Sequence, residues 1–195
     1  AAIGAWSATG GGDLPEGQYL AFNQLAQPPG GSIGWRVGAK RIIVWFGDAP
    51  SHDPICTAIS GLGSAITEAS VTARLVAEQM VVLAISTATP GLDANPVSGS
   101  TDYTGTCGAP GGSAGQATRL AVATGGTFVT GINPATIVTT IINLVTAAVS
   151  SINNAKLVPS VTIAPFIASI TPAAGYGPLS GGTEHVLKYE VKFRG

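Results

Sequence analysis

Acidic residues stand at two places in the sequence where carboxylates could bind a cation. Asp13 and Glu16 are three residues apart, and Asp48 follows the apolar run Ile42–Phe46 after a single glycine. In open α/β sheets, ligands bind beyond the carboxyl ends of the parallel strands, which is where Asp48 would stand. Hard divalent cations need clustered oxygen ligands, which carboxylates on neighbouring loops supply. These three acids are therefore the first candidates for a functional site.

Each of the three acids also has an ordinary structural interpretation. Asp13 would suit the N-cap of a helix whose first turn contains Pro15, and Glu16 would then stand in a capping arrangement. Asp48 could be a turn residue after the strand. The residues alone leave both interpretations open.

The triplet Ser51-His52-Asp53 contains the three residue types of a hydrolytic triad. Adjacent side chains diverge, however, and a triad is assembled from positions that are distant in sequence. Gly10-Gly11-Gly12 is not followed by the lysine of a phosphate-binding loop. We therefore expect neither a hydrolase nor a nucleotide-binding protein, and we predict that the chain is not an enzyme.

Composition limits the class of partner and the compartment. Only 10% of the 195 residues are charged, and the net charge is -1, so electrostatics give no case for nucleic acid or an anionic membrane. Low charge with abundant small polar residues predicts a secreted or extracellular protein. Cys56 and Cys107 then predict one disulfide, with two buried thiols as the alternative.

Helical and strand patterns alternate as far as Ile152, and this positions the candidate residues. We predict helices at 15–27, 64–79, 116–124 and 134–152, and strands at 42–46, 80–85 and 127–130. Such alternation is typical of a parallel sheet with helices on both faces, an α/β fold. The first two strands are continuously apolar, which predicts burial on both faces. The long segment Thr87–Ser113 between them and the third helix is predicted to be a loop clamped by the disulfide.

Helical spacing predicts which side chains face the core. In the first helix these are Leu20, Ala21 and Leu25. In the second, the predicted inward residues follow an i, i+3, i+4 pattern: Ile66, Ala69, Ala73 and Val76. The last helix contains asparagines, serines and threonines, which favours a buried helix over a membrane span.

The C-terminal segment has a different pattern. Lys156–Ala164 and Glu184–Arg194 are predicted to be strands on either side of the connector Thr171–Gly182. Apolar and charged residues alternate in the second of them, as in a half-exposed antiparallel strand. We predict one domain at 1–155 and, at 156–195, strands of a β-sandwich module that is not complete in this chain.

Several segments together resemble a known family. Asp13-Leu14-Pro15-Glu16-Gly17, Ile33-Gly34-Trp35-Arg36 and Arg41–Phe46 with Asp48-Ala49 resemble the von Willebrand factor A-type domain of integrin β subunits. The tail from Gly181 to Gly195 is similar to the return strand of the hybrid domain that follows it. The resemblance implies a von Willebrand factor A-like sheet followed by hybrid-like β-sandwich strands.

The resemblance also implies a cation site and roles for its residues. Members of the family hold a divalent cation, usually Mg²⁺, at the top of the sheet. By motif, Glu16 would be a direct ligand and Asp48 a ligand directly or through water. Asp13 and the carbonyl oxygen of Pro15 would serve a neighbouring cation, although Gly11 stands where animal integrins have asparagine. The expected cofactor is Mg²⁺ or Ca²⁺.

One part of the family pattern would lie before residue 1. This is the Asp-x-Ser-x-Ser motif, which the family carries after its first strand. The resemblance therefore implies a second chain that carries the first strands and this motif, in a heterodimer. The expected function is cation-dependent adhesion through a protein or glycan ligand. A carbohydrate-binding lectin and a structural scaffold with a vestigial metal site are the alternatives.

Overall fold

The computed structural model describes residues 12–97, 101–152, 155–177, 179–180 and 184–195. The chain divides into two units, Ala1–Ile141 and Ile142–Gly195. The first contains a parallel sheet with helices, and the second contains short antiparallel strands. The division falls before the end of the last helix, whereas the sequence placed it at residue 155.

The helices and strands that the described residues form are numbered in chain order across both units. The helices are α1 (Gln18–Leu25), α2 (Thr57–Ser60), α3 (Glu68–Ala77), α4 (Thr101–Cys107), α5 (Gln116–Ala123) and α6 (Ile137–Val149). The strands are β1 (Arg41–Gly47), β2 (Met80–Ser86), β3 (Thr127–Val129), β4 (Ser151–Ile152), β5 (Ile167–Thr171), β6 (Leu179–Ser180) and β7 (Glu190–Phe193). Single 3-10 turns lie at Gly91–Asp93, Pro134–Thr136 and Ala164–Phe166.

The sheet of the first unit is parallel, with the order β1-β2-β3. The central strand β2 is buried along its whole length, as its unbroken apolar run predicts. β1 pairs with β2 in register from Arg41↔Met80 to Gly47↔Ser86. The prediction that β1 is buried on both faces is wrong, because Ile43 and Trp45 are buried but Phe46 is 58% exposed. β1 is an outer strand of this sheet, and one of its two faces is less covered by other parts of the protein.

The core forms between the sheet and helices α1, α3 and α5. Its largest members come from sequence-distant elements: Tyr19, Phe22, Trp45, Leu75 and Leu120. Phe22 and Trp45 meet edge to face, with ring centroids 5.3 Å apart, a favourable geometry for aromatic pairs. These contacts attach the sheet to α1, which precedes β1 in the sequence, and to α3 and α5, which follow it.

The predicted inward faces of two helices are wrong in part. α1 buries Tyr19 and Phe22, whereas Ala21 is exposed. The predicted burial of Ile66 is confirmed, although Ile66 precedes α3. α3 itself buries Val71 and Leu75, whereas Val76 is 47% exposed. α3 has two apolar stripes, and burial of the larger side chains removes more apolar surface from water. Thr67 caps α3 by accepting the Ser70 N–H at 3.1 Å, so the helix begins at Glu68 and not at Ser64.

The predicted loop Thr87–Ser113 contains a helix, α4, at its carboxyl end. Asp93 lies earlier in the segment and accepts the Thr118 N–H at 2.9 Å, which caps the first turn of α5. Ordered hydrogen bonds therefore attach this segment to the helix that follows it.

The second unit differs from its prediction. β5 pairs with β7 antiparallel and β4 pairs with β6, but Lys156–Ala164 is not a strand. That segment contains Pro159, which has no N–H to donate to a ladder. The strand predicted from Glu184 is β7, which begins only at Glu190.

The apolar helix predicted at 134–152 is α6, and its predicted burial is wrong. No residue of α6 whose burial is described is buried, and Ile142 is 58% exposed. None of the described helices is long and apolar enough to cross a membrane.

Candidate functional site

The two acidic segments meet beyond the carboxyl end of β1. The Glu16 N–H donates to the Pro50 carbonyl oxygen at 2.8 Å, and the His52 N–H donates to the Glu16 carbonyl oxygen at 2.8 Å. Glu16 and Ser51 thus form a parallel bridge. The bridge brings the segment that holds Asp13 and Glu16 against the segment that begins at Asp48.

The Ser51 side chain stabilises this bridge. Its side chain is buried, and its Oγ donates to the Glu16 carbonyl oxygen at 3.1 Å while accepting the Tyr19 N–H at 3.0 Å. One hydroxyl therefore joins the loop after β1 to the start of α1 and to Glu16. The Gln18 side chain adds a contact by donating to the Ala49 carbonyl oxygen at 3.3 Å.

Gln116 holds the other side of the same segment. The Ser51 N–H donates to Gln116 Oε1 at 2.8 Å, and Gln116 Nε2 donates to the Ser51 carbonyl oxygen at 3.0 Å. The Gln116 side chain is wholly buried. Its amide makes the pair of bonds that a neighbouring strand would make. Residues 50–52 consequently behave as a short strand between Glu16 and the Gln116 amide.

Asp13 pairs with His52 across the bridge. Asp13 Oδ1 lies 3.3 Å from His52 Nε2, and both side chains are about six-sevenths buried, with 15% and 14% exposed. The His52 ring stacks on Tyr103 at a centroid distance of 4.3 Å and an angle of 7°. The Tyr103 hydroxyl donates to the Pro54 carbonyl oxygen. Burial raises the pKa of Tyr103, and the Asp53 and Asp13 carboxylates raise it further.

The disulfide between Cys56 and Cys107 is present, as predicted, with the two Cα atoms 5.5 Å apart. It joins the loop after β1 to the last residue of α4. Since α4 also carries Tyr103, the covalent link holds that ring beside His52. The Gly111 N–H donates to the Asp53 carbonyl oxygen at 2.8 Å and ties the same two segments again.

The structure brings the predicted ligand residues to one edge without forming a complete metal cage. Glu16 and Asp48 are exposed, Asp13 is largely buried and engaged with His52, and Pro15 is buried. Among the described residues, no group of three or more acidic, histidine or cysteine side chains is placed to hold a metal ion. The arrangement offers carboxylates at the rim of the sheet, and a bound cation would need further oxygen ligands.

The helix-capping interpretation of Asp13 and Glu16 is wrong. α1 begins at Gln18, and its N-cap residue is Gly17. Both acids lie before that cap, in the segment that pairs with residues 50–52. They are therefore not explained by satisfying the first turn of a helix.

The triplet Ser51-His52-Asp53 does not form a catalytic triad. Its side chains turn to three different partners, because Ser51 Oγ binds Glu16, His52 meets Asp13, and Asp53 Oδ1 accepts the Glu68 N–H at 3.3 Å. Gly111-Gly112-Ser113-Ala114-Gly115 has the spacing of a nucleophile elbow, but it follows α4 where such an elbow follows a strand.

Comparison with protein-family models, curated proteins and solved structures finds no match to this chain.

Sequence reasoning missed two residues that shape this edge, Gln116 and Tyr103. Gln116 stands at the start of a predicted helix, where glutamine is common, so its type gives no signal of a backbone contact. Tyr103 lies in the segment predicted to be a loop. Its nearness to Cys107 in sequence is the only available sign, since a disulfide to Cys56 must bring α4 to the loop after β1.

Proposed function

We propose that this chain is an extracellular recognition protein that acts through the edge formed by Asp13, Glu16 and Asp48. These carboxylates contribute to a site for Mg²⁺ or Ca²⁺, and a protein or glycan ligand is bound at the same edge. The bridge between Glu16 and Ser51 carries this proposal, because it holds two acidic segments together at the carboxyl side of a parallel sheet.

The acids at this edge are held in place while two of them stay open to solvent. Ser51 and Gln116 fix the backbone of the loop, whereas Glu16 and Asp48 are exposed. A fixed backbone lowers the entropy lost on binding, and exposed carboxylates can enter a coordination shell without leaving other partners. Both properties suit binding of a hard cation with water or a ligand carboxylate as additional ligands.

The finer proposal is a fold of the von Willebrand factor A type, completed by a second chain. The sheet order places β1 at one side, with Phe46 exposed and Ile42 and Val44 half-buried. A strand in this position presents backbone groups and apolar side chains to another strand. We propose that the partner supplies both a strand for β1 and the remaining metal ligands, so that adhesion depends on a heterodimer.

Calorimetric titration of the native protein, isolated together with its partner chain, with MgCl₂ and CaCl₂ tests the proposed cation site. Glu16→Gln and Asp48→Asn each remove a charge without changing the shape of the side chain. Each should weaken cation binding at least tenfold, which is about 1.4 kcal/mol of binding free energy. Glu184→Gln in the second unit is the matched control, since it removes an exposed charge elsewhere. Unchanged affinity in both site variants, or a wild-type protein that takes up neither cation, would refute the proposal.

A further inference from the structure

A cavity of about 290 Å³ lies among α1, α3 and the segment that connects α2 to α3. Small-molecule pockets begin at about this size, roughly 300 Å³. The polar side chains that line it come from three separate elements: Asn23 of α1, Ser64 of the connecting segment, and Ser70 and Arg74 of α3. None of the acids proposed to bind a cation lines it. The cavity is therefore distinct from the acidic edge beyond β1.

Arg74 gives this cavity a positive charge. Among the described residues that line it, Arg74 alone is charged. Its Nη2 donates to the Ala26 carbonyl oxygen at 3.2 Å, at the carboxyl end of α1, and its other N–H groups remain available. Glu78, one turn further along the chain, pairs with Arg41 at 3.1 Å, and Arg74 forms no salt bridge within the described part of the chain. An anionic group in the cavity would therefore meet an uncompensated cation.

Two further polar side chains reach the cavity without a partner of their own. Neither the Asn23 amide nor the Ser64 hydroxyl makes a hydrogen bond to a described residue. Ser70 differs, because its hydroxyl donates to the Thr67 carbonyl oxygen at 2.9 Å and accepts the Thr67 N–H at 2.9 Å in the cap of α3. Asn23 and Ser64 thus have donors to offer a ligand, and convergent polar groups of this kind mark small-molecule sites.

Leu62 and Ile66 supply an apolar wall beside these donors. Ile66 is buried in the core, and Leu62 packs against that core. Ile66 and Ile55 exchange backbone hydrogen bonds at 2.9 and 2.8 Å, and the Leu62 N–H donates to Ser60 Oγ at 3.2 Å. The wall is therefore held in place before a ligand binds, which lowers the entropy lost on binding.

We propose that this cavity binds the carboxylate of a short aliphatic acid. The carboxylate accepts hydrogen bonds from Arg74, Asn23 and Ser64, and the planar guanidinium matches its two oxygens. The aliphatic stem lies on Leu62 and Ile66. One positive charge balances a monoanion, whereas a phosphate dianion would keep a surplus negative charge. This site does not depend on the cation proposed at the acidic edge.

NMR titration with sodium butyrate tests this proposal on the native protein, together with any chain that copurifies with it. We expect saturable shifts at the backbone amides of Asn23 and Ser64 and at the Arg74 Nε–H. Arg74→Gln should weaken binding at least tenfold, and Asn23→Ala several-fold. Arg74→Lys keeps the charge without the planar fork, so its affinity should lie between those of the wild type and Arg74→Gln. Arg36→Gln is the matched control, because it removes an exposed arginine outside the cavity lining and should bind butyrate normally.

Arg74 is exposed, so its variants should keep the fold, and equal urea midpoints would verify this. Two related probes then define the results that would overturn the proposal. Methyl butyrate has the stem without the charge, and inorganic phosphate has the charge without the stem. Both should bind at least tenfold more weakly than butyrate. Equal binding of either probe, undiminished binding by Arg74→Gln, or absence of saturable shifts in the wild type would each show that the cavity is not a carboxylate site.

Discussion

The two units of the chain differ in what they bury, although both are rich in apolar residues. In the first unit, Leu75, Val82 and Leu120 are wholly buried among helices and strands that are distant in sequence. In the second, none of the residues whose burial is described between 142 and 195 is buried, and Val161 is 91% exposed. Apolar composition alone therefore does not make a core.

The difference lies in the connections that each unit makes. β2 has parallel partners on both sides and helices packed against it, whereas β5 and β7 form a two-stranded pair. Two-stranded ribbons are at best marginally stable in water without further packing. The candidate site belongs to the first unit, where buried elements can hold its residues in place.

The largest effect should come from opening the core of the first unit. Leu75→Ala should lower the free energy of unfolding by about 2–5 kcal/mol, because it removes a wholly buried side chain and leaves a cavity. Val161→Ala should change it by no more than about 0.5 kcal/mol, because Val161 is exposed. Urea denaturation measures both. Equal destabilisation by the two variants would abolish the contrast between the units.

Loss of the disulfide should have the next largest effect. Replacing Cys56 and Cys107 together by serine should lower the free energy of unfolding by about 2–4 kcal/mol, since the link closes a loop with a sequence separation of 51. Hydrogen exchange should also accelerate in α4, while the amides of β5 and β7 keep their rates. Acceleration in β5 and β7 to the same degree would show that the units are not separate.

Removal of the Gln116 side-chain amide should have a smaller and more local effect on stability. Gln116→Ala leaves the Ser51 N–H and carbonyl oxygen without their partner. This should lower the free energy of unfolding, measured by urea denaturation, by about 1–3 kcal/mol.

Gln116→Glu supplies a test of the mechanism by pH. Only a protonated carboxyl can donate to the Ser51 carbonyl oxygen, and burial raises its folded-state pKa. Its stability should therefore approach that of the wild type below about pH 4 and fall as the pH rises through the raised pKa. A loss that does not depend on pH would mean that the two hydrogen bonds do not hold the loop.

The smallest change in stability should come from the titration of Asp53. Burial raises its pKa above the ordinary 3.8, so the folded protein holds this proton more strongly than the unfolded chain does. Its contribution to stability is full below about pH 4 and is lost as the pH rises through the raised value. The wild type should therefore lose stability relative to Asp53→Asn over this range, as urea midpoints at several pH values would show. The opposite trend would mean that Asp53 is stabilised by a positive charge.

Long apolar runs predicted the strands β1 and β2, although not the partial exposure of β1. Met80–Ile85 is buried and parallel to β1 as expected, since a continuous run of such residues has no polar face to expose. The buried faces of the helices were harder to predict. α3 carries two apolar stripes, and only tertiary packing decides that Val71 and Leu75 are buried. α4 was missed because glycine and threonine give it little helical propensity.

The position of the candidate acids could be predicted from the sequence, whereas the contacts that hold their backbone could not. Asp48 follows a buried strand, a position that sequence alone can identify. The bridge between Glu16 and Ser51 and the clamp by Gln116 join residues separated by 35 and 65 positions. Such contacts depend on the tertiary fold, and the residue types involved give no signal of them.

Paramagnetic broadening by Mn²⁺ tests the central claim most directly, because it reports where a divalent cation binds. Substoichiometric MnCl₂ added to the native, isotope-labelled protein, isolated together with its partner chain, should broaden the amides of residues 13–16 and 48–52 first. Mg²⁺ in excess should restore them, and Glu16→Gln with Asp48→Asn should abolish the effect. Broadening centred on Glu68 and Gly112, or spread evenly over exposed acids of both units, would contradict the account.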